Sequence, residues 1–192
     1  MYPGSMRVCT VLLAITGSWN SAPSQVTKDP GQEVTRRPQT QAVVGMCREK
    51  GRQADTRHTL GVFKAAVEIL KVRSGFPEIA SADPLTVEVA AMLHDIGGGG
   101  YANAKPGAAI AREVLASLRQ TQGFSDAFID KICRLVETHH LTDAVKGKDD
   151  SPEWYVVLLA DTPKVYSASA EDVEAFSKLI RERIEQLKNS LP

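Results

Sequence analysis

The 192-residue sequence has little cysteine, few aromatic residues and no excess of charge of either sign. Its three cysteines (Cys9, Cys47, Cys133) form no CxxC pair, which argues against a disulfide framework or a zinc knuckle and indicates reduced thiols. Lys+Arg and Asp+Glu each total 23, so a broad electrostatic surface for nucleic acid or anionic membranes is not expected. No apolar run approaches the roughly 18 residues that span a bilayer. We therefore expect neither a nucleic-acid partner nor membrane insertion.

Residues 1–40 differ in composition from the rest of the chain. They contain four of the ten prolines and show no sustained periodicity, so they are predicted to form a mostly disordered tail in front of one domain at 41–192. The apolar run at 8–15 resembles a short signal-peptide core, but no A-x-A cleavage site follows it. We expect a cytoplasmic protein, with secretion as the alternative.

From about residue 40 onward, the hydrophobic pattern has helical periodicity almost throughout. Asp83-Pro84 provides a helix cap and a first-turn proline, and Ser125 precedes another predicted helix. No segment alternates cleanly with period two, so strands are not expected. The predicted class is all-α, a compact helical bundle with helices near residues 40–50, 55–73, 84–95, 106–120, 125–140, 152–168 and 171–189.

Several polar side chains fall on the apolar faces of these helices. Helical spacing directs His58, His94, one or both of His139 and His140, and also Asp161, toward the interior. Each placement alone is compatible with an ordinary core histidine or a capping aspartate. Together they bring all four histidines and a carboxylate inward, and a divalent cation compensates such a set. The pattern predicts a metal site.

The order of these residues resembles the HD superfamily of metal-dependent phosphohydrolases. The segment 91–97, Ala-Met-Leu-His-Asp-Ile-Gly, is similar to its signature, and the helix at 106–115 is similar to the one that follows it. His58 lies upstream of this signature, while His139-His140 and Asp161 lie downstream of it. The resemblance covers roughly residues 42–170.

The resemblance implies an HD-domain bundle that holds one divalent metal ion through His58, His94, Asp95 and Asp161. Nitrogen and oxygen donors suit Mn²⁺, Mg²⁺, Co²⁺, Ni²⁺, Fe²⁺ or Zn²⁺, and leave positions open for substrate and water. The implied activity is hydrolysis of a small phosphoester, a nucleotide or related metabolite, by a metal-activated water. Asp95 is the candidate general base, or the group that orients the water.

Further candidates for catalysis and binding lie close to these residues in the sequence. His139 and His140 are candidates for supporting groups, phosphate donors or leaving-group acids, and alternatively for ligands of a second metal ion. Lys105 is a catalytic candidate, and Lys105 and Arg57 are candidates for neutralising a substrate phosphate, with a solvated surface charge as the alternative for each. The four glycines at 97–100 form either a mouth that admits phosphate or a simple connector.

The chain also departs from the superfamily's patterns. It has no histidine between His94 and His139, which two-metal members usually have, and Lys105 stands near the expected place. Gly98 occupies the position of a glutamate in related nucleotidases, and Ala102 replaces the proline of the Gly-Tyr-Pro signature. The alternative is therefore a catalytically weak or inactive nucleotide-binding regulatory module. A di-iron oxygenase needs the extra histidine that this chain lacks.

Overall fold

A computed structural model describes residues 37–140 and 151–190, and over these ranges the protein is all-α, as predicted, with no strand. Residues 1–36 of the tail predicted at 1–40, and the charged loop at 146–150, lie outside the described residues. The predicted boundary at residue 40 is corrected, because a helix already begins at Pro38. No helix within the described ranges is long and apolar enough to cross a membrane. The α-helices are α1 Pro38–Glu49, α2 Arg57–Val72, α3 Pro84–Leu93, α4 Ala104–Ser117, α5 Arg119–Gln122, α6 Asp126–Thr138, α7 Pro152–Ala160, α8 Pro163–Tyr166 and α9 Val173–Ser190.

Side-chain caps begin the helices where the sequence places polar residues in front of apolar runs. Asp83 Oδ2 accepts a hydrogen bond from the Thr86 backbone N–H at 2.8 Å, and Pro84 occupies the first turn of α3. Ser125 Oγ accepts from the Phe128 N–H at 3.1 Å at the start of α6. Each cap satisfies a backbone donor that has no partner within its own helix, so both predicted start signals are confirmed.

Helix α3 forms the centre of the bundle and contacts α1, α2, α6 and α7. Residues 86–93 are all buried, as expected for a helix that is apolar on nearly every side. Glu88 is a charged residue on this buried helix. Its carboxylate accepts hydrogen bonds from Arg37 Nε at 2.7 Å and from Thr40 Oγ1 at 3.0 Å. These bonds compensate the buried charge. The carboxyl end of α3, and with it His94, is thereby held in the middle of the protein.

The helix predicted at 152–168 is divided, which corrects that expectation. Helix α7 ends at Ala160 and a short helix begins at Pro163. Proline has no N–H to continue the hydrogen-bond ladder and disfavours helical backbone at the preceding residue, and Thr162 is extended at φ −76° and ψ 127°. The division leaves Asp161 at a helix end, where its side chain is not confined to one helical face.

Two other predicted helices also end early. The helix predicted at 84–95 ends at Leu93, so Asp95 lies in the following turn. The helix predicted at 106–120 begins earlier, at Ala104, and ends at Ser117 before the single turn of α5. Gly123 then stops α5 with a left-handed φ of 71°.

The glycine segment at 97–100 is a tight turn between α3 and α4. A Cβ atom on Gly97 would lie 2.7 Å from both the Asn103 carbonyl oxygen and the Gly107 nitrogen, so only glycine fits there. Gly98 and Gly100 have φ values of 97° and 96°, a region that L side chains rarely adopt. These glycines therefore bring the start of α4 against the residues that follow His94-Asp95.

Candidate metal centre

Four of the predicted ligands come from three helices whose ends meet. His58 is the second residue of α2, His94 caps the end of α3, Asp95 lies in the turn beyond it, and Asp161 caps the end of α7. The structure thus brings together His58, His94, Asp95 and Asp161.

The donor atoms of these residues converge. His58 Nε2 lies 3.2 Å from His94 Nε2 and 3.1 Å from Asp161 Oδ1. Asp95 Oδ2 is 3.4 Å from each of the two Nε2 atoms, and Asp161 Oδ1 is 3.7 Å from His94 Nε2. Spacings of this kind fit ligand atoms that share one cation with metal–ligand distances near 2.0–2.2 Å. We refer to these four residues as the four-donor group.

Backbone carbonyls orient two of the imidazoles. His94 Nδ1 lies 2.8 Å from the Ala91 carbonyl oxygen, and His139 Nδ1 lies 2.7 Å from the Val136 carbonyl oxygen. A carbonyl oxygen only accepts, so each Nδ1 carries the proton and donates it. Each Nε2 then faces the carboxylates, which is the ring orientation that metal-ligating histidines show.

A second group of donors shares Asp95 with the first. His139 Nε2 lies 3.5 Å and His140 Nε2 4.0 Å from Asp95 Oδ1, the oxygen that faces away from the four-donor group. The two rings pack together with centroids 3.7 Å apart. Within the described part of the chain, Asp95 Oδ1 and both Nε2 atoms are buried without a hydrogen-bond partner. We refer to Asp95, His139 and His140 as the three-donor group.

These unpartnered atoms test whether the residues fit a metal ion. Each buried polar atom without a partner costs free energy, and here three lie within 4.8 Å of one another. A cation satisfies carboxylate oxygens and imidazole lone pairs at the same time. The donor set therefore fits a divalent ion. His58, His94 and Asp95 form one group whose donor atoms lie close enough to hold an ion, and Asp95, His139 and His140 form another. Asp161 adjoins the first group through its Oδ1, which lies 3.1 Å from His58 Nε2.

The charges of the cluster are strongly coupled. The His139 and His94 imidazoles hold the pKa of Asp95 well below its ordinary range, so this carboxylate is ionised at neutral pH. Burial lowers the pKa of His94, but Asp95 and Asp161 raise it by more, and the net pKa lies above the ordinary value. Burial and the neighbouring His139 lower the pKa of His140.

The two predicted phosphate-binding cations lie at the surface. Arg57 is exposed in the first turn of α2, one residue before His58, and Lys105 is exposed in the first turn of α4. Among the described residues, neither makes a hydrogen bond or ion pair with the cluster. Their predicted roles therefore depend on a substrate that reaches them.

Sequence reasoning missed one side chain at the cluster. The Tyr166 ring packs edge-on against the His58 ring, with centroids 5.5 Å apart. His58 is the most exposed of the donors, with 39% of its side chain accessible, and Tyr166 covers one side of it. Tyr166 reaches this position from α8 across the break after Asp161. The only signal in the sequence was Pro163, which shows that the chain turns there.

These features define an all-α protein with a histidine–aspartate centre suited to a divalent metal ion. A sequence model of the family described as HD domain matches residues 56–163, more than half of the chain and a range that contains every donor named above. The protein belongs to the HD domain family, which lies within the superfamily of metal-dependent phosphohydrolases, and the resemblance in the sequence is confirmed. A comparison with curated proteins finds no match.

Proposed function

We propose that this protein is a metal-dependent phosphohydrolase that hydrolyses a small phosphoester, a nucleotide or related metabolite. The observation that carries this proposal is the convergence of three histidines with Asp95, whose two oxygens face different imidazoles. A core packed only for stability gains little from three buried polar atoms without partners.

In this proposal, His58, His94, Asp95 and Asp161 hold one divalent ion. When bound, such an ion supplies Lewis acidity to a phosphoryl oxygen and lowers the pKa of a water molecule toward about 7. The donors are nitrogen and oxygen only, which suits Mn²⁺, Mg²⁺, Co²⁺, Ni²⁺, Fe²⁺ or Zn²⁺. The four-donor group therefore contains no cysteine thiolate.

The remaining chemistry belongs to side chains of the cluster. Ionised Asp95 is assigned to orienting the attacking water, because a carboxylate whose pKa lies well below its ordinary range is a weak proton acceptor. His139 is 1% exposed, so we assign it to holding Asp95 Oδ1 in place. His140 is 21% exposed and so is able to exchange a proton with a bound substrate or with solvent. Lys105 and Arg57 are proposed to neutralise the substrate phosphate.

The three-donor group is a candidate for a second ion. Its unpartnered Asp95, His139 and His140 atoms favour this occupancy, whereas the absence of a fourth protein donor among the described residues makes it the weaker site. His140→Ala is expected to remove a second, weakly held ion and to leave the ion of the four-donor group bound. A titration of the metal-free protein with metal ion, monitored by calorimetry, measures the binding of both ions.

Phosphate release from a panel of phosphomonoesters, with each of the named metals, tests the activity. Asp95→Ala is expected to abolish turnover, while Asp95→Asn retains part of the metal because the amide oxygen still ligates. The matched control is Asp130→Asn, since Asp130 is exposed on α6 and pairs only with Arg112 among the described residues. Turnover that survives Asp95→Ala contradicts the proposal.

A regulatory module is the second candidate function. It is favoured by Gly98, which stands where related nucleotidases carry a glutamate. A nucleotide that raises the thermal midpoint of the metal-loaded protein, without any phosphate release across the panel, selects this alternative. Turnover that depends on Asp95 excludes it.

A further inference from the structure

A cleft lies beside the metal centre and has no part in the proposed hydrolysis. It has a volume of about 610 Å³ and runs between α2 and the segment that joins α8 to α9. This volume falls in the range of small-molecule sites. Apolar side chains line much of it, among them Val67, Val165 and Phe176, and Tyr166 forms one wall.

Tyr166 connects this cleft with the four-donor group. His58, Gly61 and Ala65 follow one another along a single face of α2, because residues three and seven positions apart share a face. Tyr166 packs over Gly61, with its Cδ2 3.6 Å from the point where a Cβ would lie, and touches His58 with its ring. Ala65 lines the cleft two turns, or about 11 Å, beyond His58.

The charged groups of the cleft are nearly balanced. Lys71 pairs with Glu68 at 2.6 Å, and the buried carboxylate of Glu88 is satisfied from the α1 side. Two further groups of opposite sign, Lys64 and Glu171, make no ion pair with other described residues. The cleft therefore has no excess of positive charge to bind a second phosphate, but it offers apolar walls and an aromatic ring.

We infer that this cleft binds the uncharged organic group of a phosphomonoester, of the size and partly aromatic character of a nucleoside. This inference rests on the proposed function, because it places the phosphate of the same molecule at the four-donor group. The ester passes over the half-buried Tyr166, which offers its ring to the sugar or base. Substrates with one phosphate are then favoured over di- and triphosphates.

Binding of a nucleoside without phosphate tests the cleft independently of hydrolysis. The probes are adenosine, guanosine, cytidine and uridine, each titrated by NMR into the full chain loaded with Zn²⁺, since a nucleoside has no phosphate ester to hydrolyse. At least one is expected to bind with a Kd below about 1 mM. If none binds at that level, the inference is wrong, whatever the hydrolytic activity.

Filling the cleft tests the location of binding. Ala168 and Ala170 are half-buried residues of the α8–α9 connection that line the cleft. Ala168→Trp and Ala170→Trp, made separately, are each expected to weaken nucleoside binding at least about tenfold. Ala109→Trp is the matched control, because Ala109 is exposed on α4, and it is expected to bind as the wild type does. If both cleft variants bind nucleosides as tightly as the wild type does, the inference is wrong.

Kinetics distinguish this inference from the proposed function. The cleft variants are expected to lose at least about tenfold in kcat/KM for the nucleoside monophosphate and to retain the wild-type value for methyl phosphate and the wild-type metal content. If the protein binds nucleosides in the cleft but hydrolyses no phosphoester, the cleft assignment is supported and the proposed hydrolytic function is wrong. If the cleft variants lose turnover of the nucleotide and of methyl phosphate to the same extent, the cleft assignment is wrong.

Discussion

Replacing Gly97 by alanine tests how the glycine segment supports the metal centre. The added Cβ would lie 2.7 Å from the Asn103 carbonyl oxygen, 2.7 Å from the Gly107 nitrogen and 2.8 Å from the Gly107 Cα. All three are backbone atoms, so no side chain can rotate away. Restoring ordinary contacts requires α4 to move by roughly 0.7 Å. Overpacking of this kind typically costs about 1–3 kcal/mol, and with three backbone contacts we expect Gly97→Ala to cost about 3 kcal/mol.

The assay is urea unfolding in the presence of a chelator, so that metal binding contributes nothing to stability. Gly99→Ala is the matched control within the same turn, because its Cβ would lie an ordinary 3.7 Å from Asp95 Oδ2. Its stability is expected to stay within about 0.5 kcal/mol of the wild type. Equal urea midpoints for the two variants would refute the close-packing argument.

Three further predictions concern buried groups. Glu88→Ala leaves the buried Thr40 hydroxyl without its partner and is expected to lower the unfolding free energy by about 1–3 kcal/mol in urea; an unchanged midpoint contradicts this. Burial, and then the Asp55 charge, raise the pKa of Cys47 to about 12, so the folded state keeps a proton that the unfolded thiol loses. Stability is therefore expected to fall as pH rises from 9 toward 12, and less steeply in Cys47→Val; equal slopes contradict this. The pKa of His94 is raised, so protons compete with metal and divalent-ion affinity is expected to rise with pH through that pKa, whereas a pH-independent affinity refutes the ligand assignment.

Much of the fold was predictable from local patterns. Helix α6 combines the Ser125 cap with apolar residues at helical spacing, and α3 combines the Asp83 cap with a first-turn proline, so both starts were found. The break at Asp161–Thr162 was missed, although Pro163 lies inside the predicted helix and proline rarely continues one. Periodicity alone favoured a single helix because Val165 continues the apolar face of α7.

The site was predictable in its residue types but not in its arrangement. Helical spacing placed His58, His94 and Asp161 inward, and their donor atoms do converge. On a continuous helix, Asp95 would project about 100° away from His94. In the structure Asp95 lies in the turn beyond α3, and its Oδ2 lies 3.4 Å from His94 Nε2, a contact that spacing along the chain did not predict.

The tyrosine and the cleft depend on tertiary structure alone. Tyr166 approaches His58 from a different helix, and no spacing along the chain relates the two residues. The cleft arises where the α8–α9 connection passes α2, and its volume follows from how these segments pack. Such features become visible only once the helices are placed in space.

Metal content is the measurement that tests the central claim most directly. The protein is stripped with a chelator, reloaded with Mn²⁺, Ni²⁺, Fe²⁺ or Zn²⁺, and freed of excess ion. The metal content of the wild type is then compared with that of Asp161→Ala and of the exposed control Asp130→Asn. We expect about one tightly held divalent ion per chain in the wild type and in the control, and its loss in Asp161→Ala. No tightly held ion in the wild type with any of these metals, or an ion that Asp161→Ala retains in full, would contradict the four-donor group.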